Sequence, residues 1–389
     1  MIKTSFHGMI VLDLTRYLPG GYATQLFADL GAEVIKIEEM VKGDFCRMEP
    51  PISNGFSYYF SALNRNKKSM TINLKSDEGK MIFHRLAEKA DIIIENFRPG
   101  VTKRLNIDYS EIKRKNPGII YCSLSGFGQD HPDSLKAIHD LNLQALSGYL
   151  SLNGGRLTPL HLADVATAMI AALGISIALF HREATGEGQY VDVAMFDSFL
   201  WWLSLLFSRY HFQGNDISAE TLEYPALCYN IYETKDNQLL AFGMVETKFW
   251  REFCQKTGME ELIPKQFLRR HEDPDAWKKM CDLVAGKTKE EWLEWLEDKD
   301  ICITPVKNVG DALKDITARH GIVDYVDFPA TGKILQTGLP LKLSDIQTSL
   351  KSASPPPKLG QHTEEVLERI GIERDAIEDY IKRRIVGTK

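Results

Sequence analysis

Three short segments place histidine and carboxylate side chains where helices are predicted to begin or strands to end. His139 and Asp140 follow a glycine-rich loop and open a helix, Asp164 begins a long apolar helix, and Glu246 comes just after a strand. A carboxylate held against an activated acyl group can act as a covalent nucleophile, and histidine transfers protons near neutral pH. An aspartate at a helix start also serves as an N-cap, which contributes about 1 kcal/mol. The residues alone favour the cap for Asp164.

The elements that position these residues alternate between strands and helices. Short apolar runs typical of strands covered on both faces are Met9–Leu14, Glu33–Ile37, Asp91–Glu95, Ile119–Ser123 and Gln189–Val193. Helices are predicted over Tyr22–Leu30, from Ser76 onward, and over Val165–His181. This alternation predicts an α/β fold with a mostly parallel sheet and helices on both sides.

The pattern changes after residue 214. Residues 215–330 contain a predicted hairpin, Cys228–Thr234 with Gln238–Gly243, followed by helices rich in tryptophan and charge. Three successive prolines in Ser352–Lys358 predict an extended connector, and Thr363–Ile385 predicts a pair of helices. We therefore expect a large domain over 1–214, a small α+β domain over 215–330, and a return to the large domain over 331–389.

The composition excludes several classes of protein. A formal net charge of −6 argues against non-specific nucleic-acid binding. No run approaches the roughly 20 apolar residues of a membrane span, so no membrane partner is expected. The six cysteines are scattered without a metal-ligand or disulfide pattern, and no signal peptide is evident, which favours a cytoplasmic protein without a metal. GxGxxG, Walker, HExxH and GxSxG motifs are missing, which weakens nucleotide-hydrolysis, zinc-protease and serine-hydrolase interpretations.

A family resemblance extends over nearly the whole chain. The chain resembles the family III CoA-transferases, which include formyl-CoA and carnitine CoA-transferases and the α-methylacyl-CoA racemases. The matching stretches occur in family order and are Ala28–Glu38, Asn64–Gly79, Ala90–Leu105, Ser125–Asp130, Thr185–Asp197 and Leu359–Leu367. The resemblance implies a Rossmann-like large domain built from both chain ends, and an interlocked homodimer of ring-shaped subunits. It also implies an active site between the large domain of one subunit and the small domain of the other.

The resemblance gives Asp164 and His139 catalytic roles. In the transferases the aspartate matching Asp164 attacks the thioester carbonyl, whereas in the racemases it transfers protons together with a histidine. IHDLNLQALSG, which contains His139, resembles the racemases' GHDINYLALSG, and the transferases usually lack this histidine. Inverting an α-carbon needs one acid/base group on each face, and the aspartate would need its pKa raised by burial. The alternative role for His139 is a backbone-bonded residue at a helix start.

Two further residues complete the implied catalytic set. The racemases place the thioester oxygen near the residue matching Asp140, where backbone N–H groups and the helix dipole would stabilise an oxyanion. Glu246, in GMVETKF, resembles a racemase glutamate that orients the histidine across the domain interface. Similar strings occur among transferases, and a merely exposed loop glutamate is the alternative, so Glu246 does not separate the two activities.

The only cofactor expected is coenzyme A, as part of an acyl-CoA substrate. Positions matching the family's phosphate and adenine contacts are Ile72, Leu74, Lys75, Asn96, Phe97, Arg98, Arg104 and Lys136. Relatives often carry arginine where Glu39 stands, so phosphate recognition is expected to move to Lys36, Lys42 or Arg47. The resulting hypothesis is an α-methylacyl-CoA racemase, and the alternative is a CoA-transferase that uses Asp164 as its nucleophile.

Overall fold

The computed structural model describes residues 5–214, 226–328, 332–344 and 349–388. The chain forms two compact units. The first contains the described parts of Met1–Leu150, Gly155–Arg209 and His320–Lys389, and the second contains Ser151–Gly154 and the described parts of Tyr210–Arg319. The expected boundaries after residues 214 and 330 adjoin or lie in stretches outside the described residues. Residues 320–328 join the first unit, whereas the sequence placed them in the small domain.

The strands form one large sheet and three small ones. In chain order they are β1 Ile10–Asp13, β2 Glu33–Glu38, β3 Ile52–Ser53, β4 Phe56–Ser57, β5 Lys67–Ile72, β6 Ile92–Glu95, β7 Ile120–Ser125, β8 Tyr190–Ala194, β9 Tyr229–Glu233, β10 Leu239–Gly243, β11 Ile303–Pro305, β12 Val323–Phe328, β13 Gly332–Thr337 and β14 Val386–Gly387. The large sheet has the order β14-β5-β2-β1-β6-β7-β8. Its neighbours pair in parallel except at β14, which runs antiparallel to β5.

The helices are distributed over both units. They are α1 Leu18–Asp29, α2 Tyr58–Leu63, α3 Asp77–Ala87, α4 Val101–Leu105, α5 Tyr109–Lys115, α6 Asp140–Leu146, α7 Leu162–Thr185, α8 Met195–Trp202, α9 Ser204–Gln213, α10 Thr247–Thr257, α11 Pro274–Ala285, α12 Lys289–Leu296, α13 Val309–Arg319, α14 Thr363–Arg369 and α15 Arg374–Lys382. Short 3-10 turns lie at Phe45–Met48, Tyr149–Asn153, Glu260–Lys265 and Leu350–Ser352.

Alternating residues of the central strands supply two separate apolar layers. Leu12 and Ile35 pack in one layer with α3 and with Val366 of α14, whereas Val11 and Val34 pack in the other with α1 and α7. Successive side chains of a strand point to opposite faces, so each continuous apolar run fills both layers. The predicted α/β fold with a mostly parallel sheet covered on both faces is confirmed, and residues from both chain ends share its core.

The second unit is built on the predicted hairpin. Strands β9 and β10 pair antiparallel, and β11 adds to the outer side of β10. Its core is aromatic: Trp250 and Trp292 are fully buried, and their indole N–H groups donate to the carbonyls of Leu262 and Val284. Pairing each buried indole N–H with a backbone carbonyl removes the cost of burying an unsatisfied donor.

Helix α7 differs from the sequence-based prediction in its apolar character and in its length. Within the described residues, this is the one helix whose length and composition would let it cross a bilayer, and half of its most apolar window is buried in the protein. The helix is longer than the predicted Val165–His181 because it starts at Leu162 and continues to Thr185. Its C-cap, Gly186, has φ 77°, a left-handed conformation that glycine adopts without steric cost and that ends the helix.

Candidate active site

The site lies where the parallel strands of the first unit end. The loops after β1, β5, β6 and β7 all leave the sheet at its carboxyl edge, which is the usual ligand edge of an open α/β sheet. After β1, Gly20 lets the first turn of α1 approach Thr15, because a Cβ on Gly20 would stand 2.1 Å from the Thr15 hydroxyl oxygen. The chain lacks GxGxxG at this turn, and the close contact between the helix and the loop is made by Gly20 against Thr15.

Asp140 connects the two helices that carry the predicted catalytic residues. It is the first residue of α6 and is buried. Its Oδ1 accepts the backbone N–H of Ala163 at 2.7 Å and that of Asp164 at 3.3 Å, and its Oδ2 accepts Gln144 Nε2 at 2.6 Å. These N–H groups belong to the first turn of α7 and have no partner within that helix. Asp140 therefore caps α7 from outside and holds the start of α6 against it.

This arrangement excludes the N-cap role considered for Asp164. Asp164 is the third residue of α7 and not its N-cap, which is His161, and the capping acceptor is Asp140. Asp164 is 9% exposed. Burial, followed by the negative charge of Asp140, raises the pKa of Asp164 to about 7. The side chain is thereby available for acid–base or nucleophilic chemistry near neutral pH.

His139 lies at the N-cap of α6 and is exposed. Its backbone N–H donates to Asn142 Oδ1 at 3.1 Å, which fixes the chain at the helix start. Its ring is edge-on to the ring of Tyr17, with 6.1 Å between the centroids. Asp140, which binds the Asp164 backbone, is the next residue. The structure therefore brings His139, Asp140 and Asp164 to one region of the first unit.

A second histidine, not singled out from the sequence, belongs to this region. His161 Nε2 lies 2.8 Å from Tyr59 Oη, and His161 Nδ1 lies 3.6 Å from Asp140 Oδ2. One ligand atom from each of Asp140, His161 and Asp164 falls within 4.8 Å of the other two, a spacing that could admit a cation. Both Asp140 oxygens already accept N–H groups, so we interpret the cluster as an acid–base group. In the sequence, His161 is marked only by its position three residues before Asp164.

Glu246 belongs to the second unit. It is the N-cap of α10, directly after β10 and Met244–Val245, and it is exposed. Its backbone carbonyl accepts the N–H groups of Phe249 and Trp250. Glu246 is thus held at a helix start, and its orienting role stays a prediction.

Six of the eight predicted CoA contacts occupy the ends of two strands. Ile72, Leu74 and Lys75 lie at or after the end of β5, and Asn96, Phe97 and Arg98 follow β6. Lys75, Arg98, Arg104 and Lys136 are exposed, and Lys136 pairs with Asp133 at 2.9 Å. Ile72 is the least available of the set, because its side chain is in the core and its backbone faces β14.

Two of the three cations proposed to replace the family arginine are committed elsewhere. Lys36 is fully buried and lies 2.9 Å from Asp44 and 3.6 Å from Asp13. Arg47 binds Glu38 through two nitrogens. Lys36 and Arg47 were therefore wrong as phosphate ligands, because their charges are already neutralised inside the protein, whereas Lys42 is exposed.

Arg16, on the loop after β1, is a cation that was not predicted as a phosphate ligand. Asn96 accepts the Arg16 backbone N–H at 2.9 Å and donates to its carbonyl at 2.8 Å, so the loops after β1 and β6 are joined. The Arg16 guanidinium lies 5.0 Å from the centre of the Phe45 ring. Arg16 is therefore a further candidate for binding phosphate at the carboxyl edge.

A buried carboxyl supports the predicted Phe97 contact. Glu95 Oε2 accepts the Phe97 backbone N–H at 2.7 Å. Burial raises the pKa of Glu95 to about 7, so the folded state favours the protonated group. Below the unfolded pKa, near 4.3, both states are protonated and the group costs nothing. Between about pH 4.3 and pH 7 only the unfolded state is ionised, so up to about 3 kcal/mol of stability is lost across this range, and the loss is complete once the folded-state pKa is passed.

Glu95→Gln is expected to raise the free energy of unfolding at pH 8 by about 1 to 3 kcal/mol and to change it little at pH 4. Glutamine keeps an acceptor for Phe97 without the charge. Urea unfolding at both pH values measures the effect, with exposed Glu364→Gln as the control. An equal change at both pH values would show that the Glu95 charge is not the cause.

Comparison with known proteins agrees with this fold. Residues 6–363 match the model of CoA-transferase family III. Succinyl-CoA:glutarate CoA-transferase of Mus musculus is 32% identical over 93% of this chain and 86% of its own length. Alpha-methylacyl-CoA racemase of Mus musculus is 32% identical over 97% of each chain. The crystal structure of a CAIB/BAIF family protein from Brucella suis has a TM-score of 0.82 at 26% identity, covering 95% of this chain and 100% of that one. The resemblance seen in the sequence is confirmed, and the chain belongs to CoA-transferase family III, whose substrates are CoA thioesters.

Proposed function

We propose that this protein is an α-methylacyl-CoA racemase-like isomerase that inverts the α-carbon of a 2-methylacyl-CoA. The observation that carries the proposal is the state of Asp164, a carboxyl that is not needed as a helix cap and whose pKa is raised to about 7. A group with this pKa can both take and return a proton near neutral pH. Covalent attack uses only the ionised form, whereas inversion uses the ionised form to take a proton and the protonated form to return one, and a pKa near 7 makes both forms available.

The proposed reaction uses one group on each face of the α-carbon. Asp164 or His139 removes the α-proton, the electron pair moves into the thioester carbonyl, and an enolate forms. The other group then donates a proton to the opposite face, which inverts the centre and restores the carbonyl. The amide N–H at the start of α6, at Asp140, is the proposed donor to the enolate oxygen.

The decisive experiment follows deuterium from solvent into the substrate. Wild-type protein with either enantiomer of a 2-methylacyl-CoA in D2O is expected to incorporate deuterium at the α-carbon. His139→Gln is expected to lower exchange from one enantiomer by about 10²-fold or more and to affect the other less, because Asp164 still serves the second face. His181→Gln, an exposed histidine at the far end of α7, is the control.

Two outcomes would contradict this assignment. Failure of the wild-type protein to exchange any branched acyl-CoA would remove the racemase proposal. An equal loss for both enantiomers in His139→Gln would remove His139 as the base for one face.

CoA transfer between carboxylic acids is the second candidate, because relatives named as CoA-transferases are equally similar to this chain. In that reaction an Asp164 oxygen attacks the thioester carbonyl, the C–S bond breaks, and a mixed anhydride forms. The released CoA thiolate then attacks the Asp164 carbonyl carbon and displaces the substrate carboxylate. Hydroxylamine added with acyl-CoA would convert Asp164 to a hydroxamate, detectable by peptide mass spectrometry. An unmodified Asp164 peptide during turnover would eliminate this candidate.

The dimer belongs to the same proposal. Met169, Leu173 and Ile177 recur every fourth residue along α7 and are each more than half exposed, and Trp201 and Leu205 of α8 and α9 are also exposed. Residues at this spacing share one helix face. We propose that a second copy of this chain covers this face.

Size-exclusion chromatography with light scattering is expected to give twice the 44.1 kDa of one chain. Leu173→Glu is expected to shift the mass toward that of the monomer, because it places a charge within an apolar interface. The control is Glu183→Gln, a change at a polar position of the same helix. A monomeric wild-type protein at micromolar concentration would exclude the dimer.

A further inference from the structure

Four tyrosine side chains of the first unit have no role in the proposed reaction although they lie near its predicted residues. They are Tyr17 on the loop after β1, Tyr22 near the start of α1, and Tyr58 and Tyr59 at the start of α2. The first three are 38%, 43% and 48% exposed. Aromatic side chains bury a large area when they are covered, so partly exposed rings grouped in one region are typical of a binding surface.

Two of these rings lie beside the predicted proton-transfer groups. The Tyr17 ring is edge-on to the ring of His139 at the start of α6, with 6.1 Å between the centroids. Burial, followed by the negative charge of Asp164, raises the pKa of Tyr22, so the Tyr22 phenol is close enough to that carboxylate to sense its charge. One tyrosine is therefore next to each of the two groups that exchange a proton with the α-carbon in the proposed reaction.

The other two rings come from α2. Tyr59 Oη lies 2.8 Å from Nε2 of His161, which is the N-cap of the helix that carries Asp164. The Tyr58 and Tyr59 rings are adjacent, with 4.4 Å between their centroids. The four tyrosines, which we call the aromatic surface, thus border the N-terminal ends of α6 and α7.

The backbone of Tyr17 has a conformation that few side chains tolerate. Its φ of 63° and ψ of −155° fall in a region that is almost confined to glycine. Asp44 Oδ1 accepts the Tyr17 N–H at 3.0 Å, and the buried Lys36 ammonium lies 2.9 Å from Asp44 Oδ2. Residues strained in this way persist only where their surroundings hold them, and they are concentrated at active sites and ligand contacts. The position of the Tyr17 ring beside His139 is therefore maintained at a conformational cost, which indicates a functional role.

We propose that the aromatic surface binds the acyl group, and that it selects a 2-methylacyl-CoA whose α-carbon carries an aromatic ring. This inference rests on the proposed function, which puts the α-carbon between Asp164 and His139. Aromatic rings in offset or edge-to-face contact gain affinity beyond the area that they bury, whereas a saturated group gains only from burial. The additional gain corresponds to about a 3- to 10-fold increase in affinity for a ring that makes such a contact.

The test measures equilibrium binding to the Asp164→Asn protein by isothermal titration calorimetry, because this variant is expected to hold the substrate without converting it. Two thioesters of matched size are compared, 2-phenylpropanoyl-CoA and its saturated counterpart 2-cyclohexylpropanoyl-CoA. The phenyl thioester is expected to bind about 10-fold more tightly. Adding Tyr17→Leu is expected to reduce this preference about threefold or more, whereas Tyr17→Phe keeps the ring and is expected to preserve it. Tyr325→Leu, which changes an exposed tyrosine of β12, is the control and is expected to have no effect.

Equal affinity for the two thioesters would overturn the proposal, as would a preference that neither Tyr17→Leu nor Tyr22→Leu reduces. Tyr22→Leu also provides a second variant if Tyr17→Leu does not fold. Free CoA is titrated in parallel, and a loss of its affinity as large as that of the phenyl thioester would assign these rings to CoA and not to the acyl group. Binding does not require turnover, so a phenyl preference without deuterium exchange in wild type counts against the racemase alone. Exchange without a phenyl preference counts against the aromatic surface alone.

Discussion

Asp164→Asn is expected to reduce kcat/KM for acyl-CoA turnover by at least about 10³-fold while the protein remains folded. Asparagine has nearly the same shape, but it can neither accept the α-proton nor attack the thioester. The α7 N-cap is unaffected, because its acceptor is Asp140. The loss is expected for deuterium exchange and for CoA transfer alike, since both reactions need this carboxylate.

Asp164→Asn is also expected to change the stability of the fold, and to increase it although activity is lost. Burial and the charge of Asp140 raise the pKa of Asp164 to about 7, so its ionisation costs folding free energy as pH rises through 7. Asp164→Asn is therefore expected to stabilise the fold at pH 8, by up to a few kcal/mol, and to have little effect at pH 4. Exchange rates and urea unfolding of the same samples measure both effects.

Asp197→Asn is the matched control for this prediction. Asp197 lies in the first turn of α8 and is exposed, so it shares the helix position of Asp164 without its burial. It is expected to leave both activity and stability nearly unchanged. Activity of Asp164→Asn within tenfold of wild type would exclude Asp164 as the reacting carboxylate in either reaction.

Lys36→Met is expected to destabilise the protein by about 3 to 5 kcal/mol, because it leaves buried carboxylates without their cation. Lys36 is fully buried, donates to the Thr15 carbonyl at 2.8 Å, and lies 2.9 Å from Asp44 Oδ2. Burial alone would lower the pKa of Lys36, but the charges of Asp13 and Asp44 raise it above its ordinary value. The ammonium therefore stays charged inside the fold.

The loop that carries Arg16 and Tyr17 depends on this cluster. Asp44 Oδ1 accepts the Tyr17 backbone N–H at 3.0 Å, and Tyr17 has φ 63°, an unfavourable value for an aromatic residue. Chemical denaturation measures the destabilisation, with Lys68→Met as the control. Lys68 pairs with Glu33 and Glu365 while 29% exposed, and its loss is expected to cost about 1 kcal/mol or less. A Lys36→Met effect as small as that of Lys68→Met would contradict this role.

The α/β layering could be predicted because strand residues buried on both faces form continuous apolar runs, as at Ile92, Ile93 and Ile94. The predicted ends of helices and strands were less accurate. The helix predicted from Tyr22 begins at Leu18, since Pro19 suits a first helical turn and the glycines that follow pack there. Strand β14 was missed because two residues at the end of a charged helical segment carry no strand pattern.

In the candidate site, too, residues marked by a local sequence pattern were predicted, and those that depend on distant partners were not. Asp164, His139 and Asp140 could be located because their neighbours resemble the family, and the structure places them in one region. The mistaken roles of Lys36 and Arg47 arose because a buried lysine or arginine is indistinguishable in sequence from an exposed one. His161 was overlooked because its partners, Tyr59 and Asp140, are distant in sequence and meet it only in the folded chain.

The pairing of β14 with β5 has a consequence for how the protein is made. The Thr71 hydroxyl donates to the Gly387 carbonyl, a contact between residues 316 positions apart. The large sheet can therefore acquire its last strand only after residue 387 has left the ribosome. The second unit draws almost entirely on Tyr210–Arg319 and has no such requirement. During synthesis, the middle of the chain can fold while the edge of β5 is still open, a period in which chaperones would be most useful.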